Sequence, residues 1–220
     1  MSDVNNDNQL RINQLSNITG NSLPKLEKFR GNYSWGIQGQ YQLEQNYFLV
    51  IHSNYYRESI KVENDKQGEI PFSFQNQHRI EYFEICLGIN YFFDYSSWKI
   101  ITTYFGAGVG FGSGWTEVYL EYNDGLNRVN NKGDFSSDSF VGYICAGFQI
   151  KFTSILSLVP EIGFRYANLG KMNGKLYISQ NFSNLPNANL ELSDNNYTTE
   201  DVYDFSGFYG TIGLKILLPF

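Results

Sequence analysis

The sequence has little of what most chemistry and most small scaffolds are built from. Its 220 residues include only 2 Cys, 2 His, 2 Met and 5 Pro. Cys86 and Cys145 are too few and too far apart for a disulfide framework or a structural metal site, both of which need more ligands at closer spacing. Zinc, P-loop, dinucleotide and nucleophile-elbow motifs are all missing. No catalytic, cofactor-binding or metal-binding set is therefore expected. Basic clusters are missing too: the formal charge is -6 and the pI about 4.9, which excludes the electrostatic footprint of a nucleic-acid binder. No apolar run approaches the ~18 to 20 residues of a spanning helix, so a helical membrane protein is excluded. Only a closed β-barrel could carry this chain across a bilayer. The opening MSDVNNDNQL has neither a basic region nor an apolar segment, so no secretory signal is read. The chain is expected to be either cytosolic or the mature form of an exported protein with its leader removed.

What the sequence does have is aromatic residues: 17 Tyr, 18 Phe and 3 Trp. So many exclude a disordered chain despite a mean hydropathy of -0.35. They must be packed or solvated by lipid. Residues 1–31 are polar and Asn-rich, with a faint alternation at Leu10 and Ile12. From Asn32 the pattern becomes period 2, the signature of a strand with one apolar and one polar side. In 32–43, Tyr33, Trp35, Ile37, Tyr41 and Leu43 oppose Ser34, Gly36, Gln38 and Gln40. In 78–93, Phe83, Ile85, Leu87 and Ile89 oppose Glu84, Cys86, Gly88 and Asn90. In 98–120, Phe105, Ala107, Val109 and Phe111 oppose Tyr104, Gly106, Gly108, Gly110 and Gly112. The pattern recurs in 139–152, 155–167 and 208–220, and less cleanly in 46–60, where Phe48, Val50 and Tyr56 dilute the polar side.

Connections alternate between short ones, at 44–46, 94–97 and 153–154, and long polar ones, at 61–77, 121–138 and 168–202. Tight turns on one rim and long loops on the other are how an up-and-down barrel is connected. Two barrels fit this order. A soluble lipocalin-like barrel points its apolar face inward, whereas a membrane barrel points it into lipid around a polar interior. The polar faces here are Gln, Ser, Asn, Thr, Tyr and Gly with few charges, unlike a water-facing sheet. The glycines of 106–112 suit a narrow interior crossed by side chains from opposite walls, or else mark a bend. An apolar band ~25 Å tall needs roughly ten residues of tilted strand, and the outward charges Glu81 and Glu117 fall above such a band. Aromatics collect at both levels, as expected where amphipathic rings meet headgroups. The expected belts are Tyr41, Tyr47, Trp98, Phe152 and Phe220 near the short turns, and Tyr33, Trp35, Trp115 and Tyr166 near the long loops.

The ending Tyr-Gly-Thr-Ile-Gly-Leu-Lys-Ile-Leu-Leu-Pro-Phe (209–220) and Pro-Glu-Ile-Gly-Phe-Arg-Tyr (160–166) resemble the last two strands of small Gram-negative outer-membrane β-barrels of the OmpA/OmpX type, a porin-like group. Pro219 departs from the usual ending. The resemblance implies an all-β, eight-stranded antiparallel up-and-down transmembrane barrel over 32–220, with long extracellular loops and short periplasmic turns. It also implies an assembly signal at Tyr209, Leu214, Ile216, Leu218 and Phe220, read by the outer-membrane assembly machinery. Seven strands are visible from residue 33 on, and bacterial barrels have an even number. The eighth is expected within 7–31, around Gln9–Ile18.

Strand parity puts Glu84, Glu161, Arg165 and Lys215 in the lumen. Isolated buried charges are costly, so these are expected to pair in one network, Glu161 with Lys215, that neutralises and plugs the lumen or gates a narrow pore. His52, Ser53 and Asn54 resemble the His, Ser and Asn of lipid A 3-O-deacylases, but here His and Ser are adjacent and must face opposite sides. Cys86 and Cys145 are expected to be buried free thiols, since strands two apart are ~9 to 10 Å from each other, beyond disulfide reach. Lys171, Lys175, Glu191, Asp194, Glu200 and Asp201 do not match a calcium loop. The expected function is non-enzymatic, with no cofactor: display of surface loops for adhesion or binding to a membrane or host-surface partner, or a structural role among outer-membrane lipids. A small-solute channel and a soluble lipocalin-like binder are the alternatives.

Overall fold

A computed structural model describes Ser16, Leu23 and residues 34–66, 72–93, 100–153, 156–183 and 190–216. Among them eight strands form one antiparallel up-and-down sheet: β1 (Trp35–Gln42), β2 (Tyr47–Lys66), β3 (Phe72–Phe92), β4 (Ile101–Asn123), β5 (Asn127–Lys151), β6 (Leu156–Phe182), β7 (Leu190–Asp204) and β8 (Gly207–Ile216). β-Branched and aromatic residues at alternate positions suit a pleated ribbon with one packed face. On β3 the alternation of buried and more exposed residues is unbroken from Phe72 to Phe92.

β7 and β8 both pair with β6, and Asn168↔Asp204 and Arg165↔Gly207 lie on the same register. They are successive stretches of one returning strand, so the sheet makes seven passes. β1 and β8 are its edges. Each neighbouring pass is antiparallel, so these two edges run in the same direction. No ladder joins them among the described residues, and the sheet is not closed. It nevertheless curls: Arg165 on β6 reaches Glu84 on β3, and Lys215 on β8 reaches Gln40 on β1 and Gln149 on β5.

Two expectations change. The long loops are mostly strand, since β2–β3, β4–β5 and β6–β7 continue as hairpins whose connections shrink to 67–71, 124–126 and 183–189. Their Asn, Gln and Ser have low strand propensity, but cross-strand pairing and an apolar inner face override it. Within Gln9–Ile18, Ser16 is the described residue, and it is helical rather than extended. Leu23 is buried among Phe72, Phe74, Leu120, Tyr122, Val129 and Phe182, and its N–H donates to Ser16 Oγ at 3.3 Å. The rest of that segment, and the boundary between 31 and 32, lie outside the described residues.

Within β6 the phase of the side chains changes once. Leu169 and Met172 are both buried, and the pairing with β7 shifts between Asn168 and Gly170. Gly170 has φ 65°, a left-handed conformation glycine adopts without steric cost, and its N–H is held by Asn168 Oδ1 at 2.8 Å.

Candidate functional site

Near the short turns large apolar residues cover the outside, and the inside mixes polar residues with the buried rings of Phe48, Phe92 and Tyr104 and with Val50. Ile85, Leu87 and Ile89 on β3, Phe105, Val109 and Phe111 on β4, Phe140, Ile144 and Phe148 on β5, and Phe208, Ile212 and Leu214 on β8 are all exposed. Glu84, Cys86, Asn90, Thr102, Gln149 and Ser157 are buried on the opposite face. Glycine makes that inner face crossable. A Cβ on Gly108 would lie 2.4 Å from Tyr143 Cε1, and one on Gly112 would lie 2.5 Å from the Tyr82 hydroxyl.

The four inner charges do not form one network. Glu84 and Arg165 meet at 3.3 Å. Glu84 Oε1 also accepts from Asn54 Nδ2 at 2.8 Å, and Oε2 from the Tyr82 hydroxyl at 2.8 Å. Arg165 donates from Nε and Nη2 to the Phe205 carbonyl and lies over the Tyr82 ring, which stacks on Phe205 at 4.4 Å. Glu161 accepts from two phenols, Tyr104 at 2.7 Å and Tyr209 at 3.0 Å, rather than from Lys215. Register explains this correction: Glu161 pairs with Thr211 and Lys215 with Ser157, which separates the two along the strand by about 13 Å. Lys215 donates instead to Gln40 Oε1 at 2.5 Å and Gln149 Oε1 at 3.3 Å, and its ammonium lies over the adjoining rings of Phe48 and Phe92. Gln149 in turn donates to Ser157 Oγ at 2.9 Å. The interior is thus three separate polar groups stacked along the sheet.

Cys86 and Cys145 are free and buried. They face Gly110 and Gly106 of β4 respectively, so they are offset along the strands as well as two strands apart. Ser53 lies in register with Ile37 and Ile85 of the apolar face, while Asn54 binds Glu84 from inside. His52, Ser53 and Asn54 therefore do not assemble around one point. His52 does meet a different pair, Glu84 and Cys86, with all three donor atoms within 4.8 Å of one another. Sequence spacing missed this group because its members sit on two strands more than thirty positions apart. The register His52↔Cys86 creates it.

Of the expected aromatic belts, Trp35 packs on Tyr55 at 5.5 Å and Tyr47 on Tyr91 at 5.0 Å, all on the outer face with Tyr41, Phe152 and Tyr166. Trp115 lines a shallow hollow of about 370 Å³ with Arg79, Glu81 and Glu117. There the outer face turns charged: Arg79 bridges Glu81 at 3.0 Å and Glu117 at 3.2 Å. Tyr33, Trp98, Leu218 and Phe220 lie outside the described residues. In the final strand Tyr209 points inward to Glu161 while Leu214 is exposed outward, and Ile216 pairs with Leu156.

Beyond that charged level the polarity inverts. Phe72, Phe74, Tyr122, Val129, Phe135 and Phe182 are buried inside, while Lys61, Glu63, Arg128, Lys132 and Asp134 stand outside. The β4–β5 tip is closed by Asp124. Its burial alone would raise the carboxyl's pKa, but the Asn127 side chain and backbone, the Tyr122 hydroxyl and the Leu126 N–H outweigh that and hold it below the ordinary value. No protein-family model and no curated protein matches the chain.

Proposed function

We propose that this chain is a transmembrane β-barrel of a Gram-negative outer membrane, of the OmpA/OmpX-like porin type, with a non-enzymatic role. The observation that carries the reading is the exposed apolar band opposite a buried polar face. Burying such a band in water would need a partner of the same extent, whereas lipid covers it directly. A soluble lipocalin-like barrel has the opposite arrangement. In lipid the free edges of β1 and β8 must be satisfied. They run in the same direction, so one oppositely directed strand closes them antiparallel on both sides, giving the eight-stranded barrel. The three tall hairpins then stand in water as a display surface for adhesion or partner binding. The exposed face of the last strand is what the assembly machinery reads.

A narrow channel is the second reading. Thr102 Oγ1, Asn90 Oδ1, Ser139 Oγ and the Tyr143 hydroxyl have no hydrogen-bond partner inside the sheet, and water is the natural one. Against free conduction stand the Glu84–Arg165 pair and the Lys215 group, which fill the cross-section an eight-stranded barrel offers.

Electrophoresis of detergent-refolded protein, boiled and unboiled, tests the first reading. A mobility change on boiling is expected, and a protein that dissolves and folds in water without detergent would overturn it. Planar-bilayer recording tests the second: Lys215→Met raises conductance if the lysine group obstructs a pore, and current at the level of protein-free bilayers in both proteins discards the channel.

A further inference from the structure

Both histidines and both cysteines of this chain, His52, His78, Cys86 and Cys145, stand on the inner face. Three potential metal donors converge there. His52 and Cys86 are direct partners across β2 and β3, and Glu84 precedes Cys86 by two residues and so shares its face. The imidazole nitrogen, the thiol sulfur and a carboxylate oxygen lie within 4.8 Å of one another. We propose that His52, Glu84 and Cys86 form a three-ligand site for a divalent cation of the zinc class, with the fourth position left to water.

Each of the three residues keeps a lone pair for a metal. Cys86 is a free, buried thiol, and neither ring nitrogen of His52 has a hydrogen-bond partner among the described residues. Glu84 Oε1 is fully used by Asn54 and Arg165, but Oε2 accepts only from Tyr82 and keeps a lone pair. Asn54, Arg165 and Tyr82 are the kind of outer partners that orient a ligating carboxylate. A second observation points to a ligand beside these donors. The Tyr143 hydroxyl is buried with no partner. Its ring lies 4.6 Å from that of His52, and the hydroxyl stands over Gly88, two residues from Cys86. A metal-bound water would give this phenol the partner it lacks.

The geometry is within reach. Tetrahedral zinc with ~2.3 Å bonds to sulfur and ~2.0 to 2.2 Å bonds to nitrogen and oxygen spaces its ligand atoms at ~3.3 to 3.7 Å. The three donors must close by about 1 Å, which rotation of the half-buried His52 can supply. Binding releases the Cys86 proton to solvent, and with Arg165 counted the thiolate, the Glu84 carboxylate and a divalent ion leave one net positive charge at the site. Arg165, turned to the other oxygen of Glu84, disfavours ions of higher charge.

The test is Co²⁺ titration of the refolded full-length protein, read by absorption. One equivalent is expected to produce a thiolate-to-cobalt charge-transfer band that Zn²⁺ bleaches. Cys86→Ser abolishes the band, His52→Gln weakens binding roughly tenfold or more, and Cys145→Ser leaves both unchanged. As a second readout, Zn²⁺ protects Cys86 but not Cys145 from alkylation in the wild-type protein. Absence of the band in folded wild-type protein, its survival in Cys86→Ser, or equal alkylation of both thiols with and without Zn²⁺ would overturn the site.

Discussion

β3 carries two opposite surfaces along one uninterrupted alternation. From Phe83 to Ile89 the odd residues are apolar and exposed, and the even ones, Glu84, Cys86 and Gly88, are buried. From Phe72 to Ile80 the even residues Phe72, Phe74 and Ile80 are the buried apolar ones, and Ser73, Gln75, Gln77 and Arg79 look out. No bulge separates the halves: β3 pairs with both neighbours in constant register throughout. Composition alone reverses. Along β3 the interior is polar beside an apolar exterior and, apart from Asn76 and His78, apolar beside a polar exterior. The changeover is at the Arg79–Glu81–Glu117 bridges.

The comparison breaks most severely through the apolar core of the tall hairpins. Phe74 is 1% exposed and packs with Phe72, Tyr122, Val129 and Phe182. Phe74→Ala removes a buried ring and leaves a cavity, at a cost of about 3 to 5 kcal/mol. That loss is confined to the half with the polar exterior, so amide exchange by mass spectrometry accelerates in 60–78 and 116–131 while the ladder through Leu87, Val109 and Ile144 keeps its protection. Uniform acceleration along β3 would mean that the two halves are one cooperative unit.

A smaller effect of opposite location follows from charging the outer face. Val109 is 55% exposed in the middle of the apolar band. Val109→Lys costs about 2 to 4 kcal/mol in lipid if that band lies at the bilayer midplane. Ser73→Lys, on the outer face of the same sheet near the hairpin end, changes stability by no more than about 0.5 kcal/mol. Urea unfolding from phospholipid vesicles compares them, and equal midpoints for the two lysine variants would remove lipid as the solvent of the band.

The two halves were also unequally legible in the sequence. Beside the short turns, four or five large aliphatic or aromatic residues alternate on each strand, and period alone locates them. In 61–77 and 121–138 the outer residues are Asn, Gln, Ser and charges, and the inner apolar ones come in ones and twos, such as Phe72 with Phe74. That pattern reads as loop, because long-range packing rather than local propensity makes it strand. Parity placed Glu84, Glu161, Arg165 and Lys215 on one face, but parity carries no height. Only register shows that Tyr104 and Tyr209, themselves on the polar face by the same counting, meet Glu161 before Lys215 can. The His52, Glu84 and Cys86 group needed register as well.

The finest effect separates the hairpin tip from everything below it. Asp124 is held ionised by the Asn127 side chain and N–H, the Tyr122 hydroxyl and the Leu126 N–H, next to Gly125 at φ 82°. Its folded pKa is depressed below the ordinary 3.8, so its stabilising contribution is complete above that value and is lost as pH falls through the folded value. Amide exchange at Leu126 and Asn127, corrected for the intrinsic pH dependence of exchange, is therefore expected to show loss of protection beginning below about pH 4, while Ile85 and Leu87 hold theirs. Asp124→Asn keeps an oxygen acceptor but has no carboxyl to protonate, so its tip protection is lower at neutral pH and flat across that range. A tip whose pH response is the same in wild type and Asp124→Asn would assign the acid sensitivity to another carboxylate, and an equal response at Leu87 would couple the tip to the apolar band.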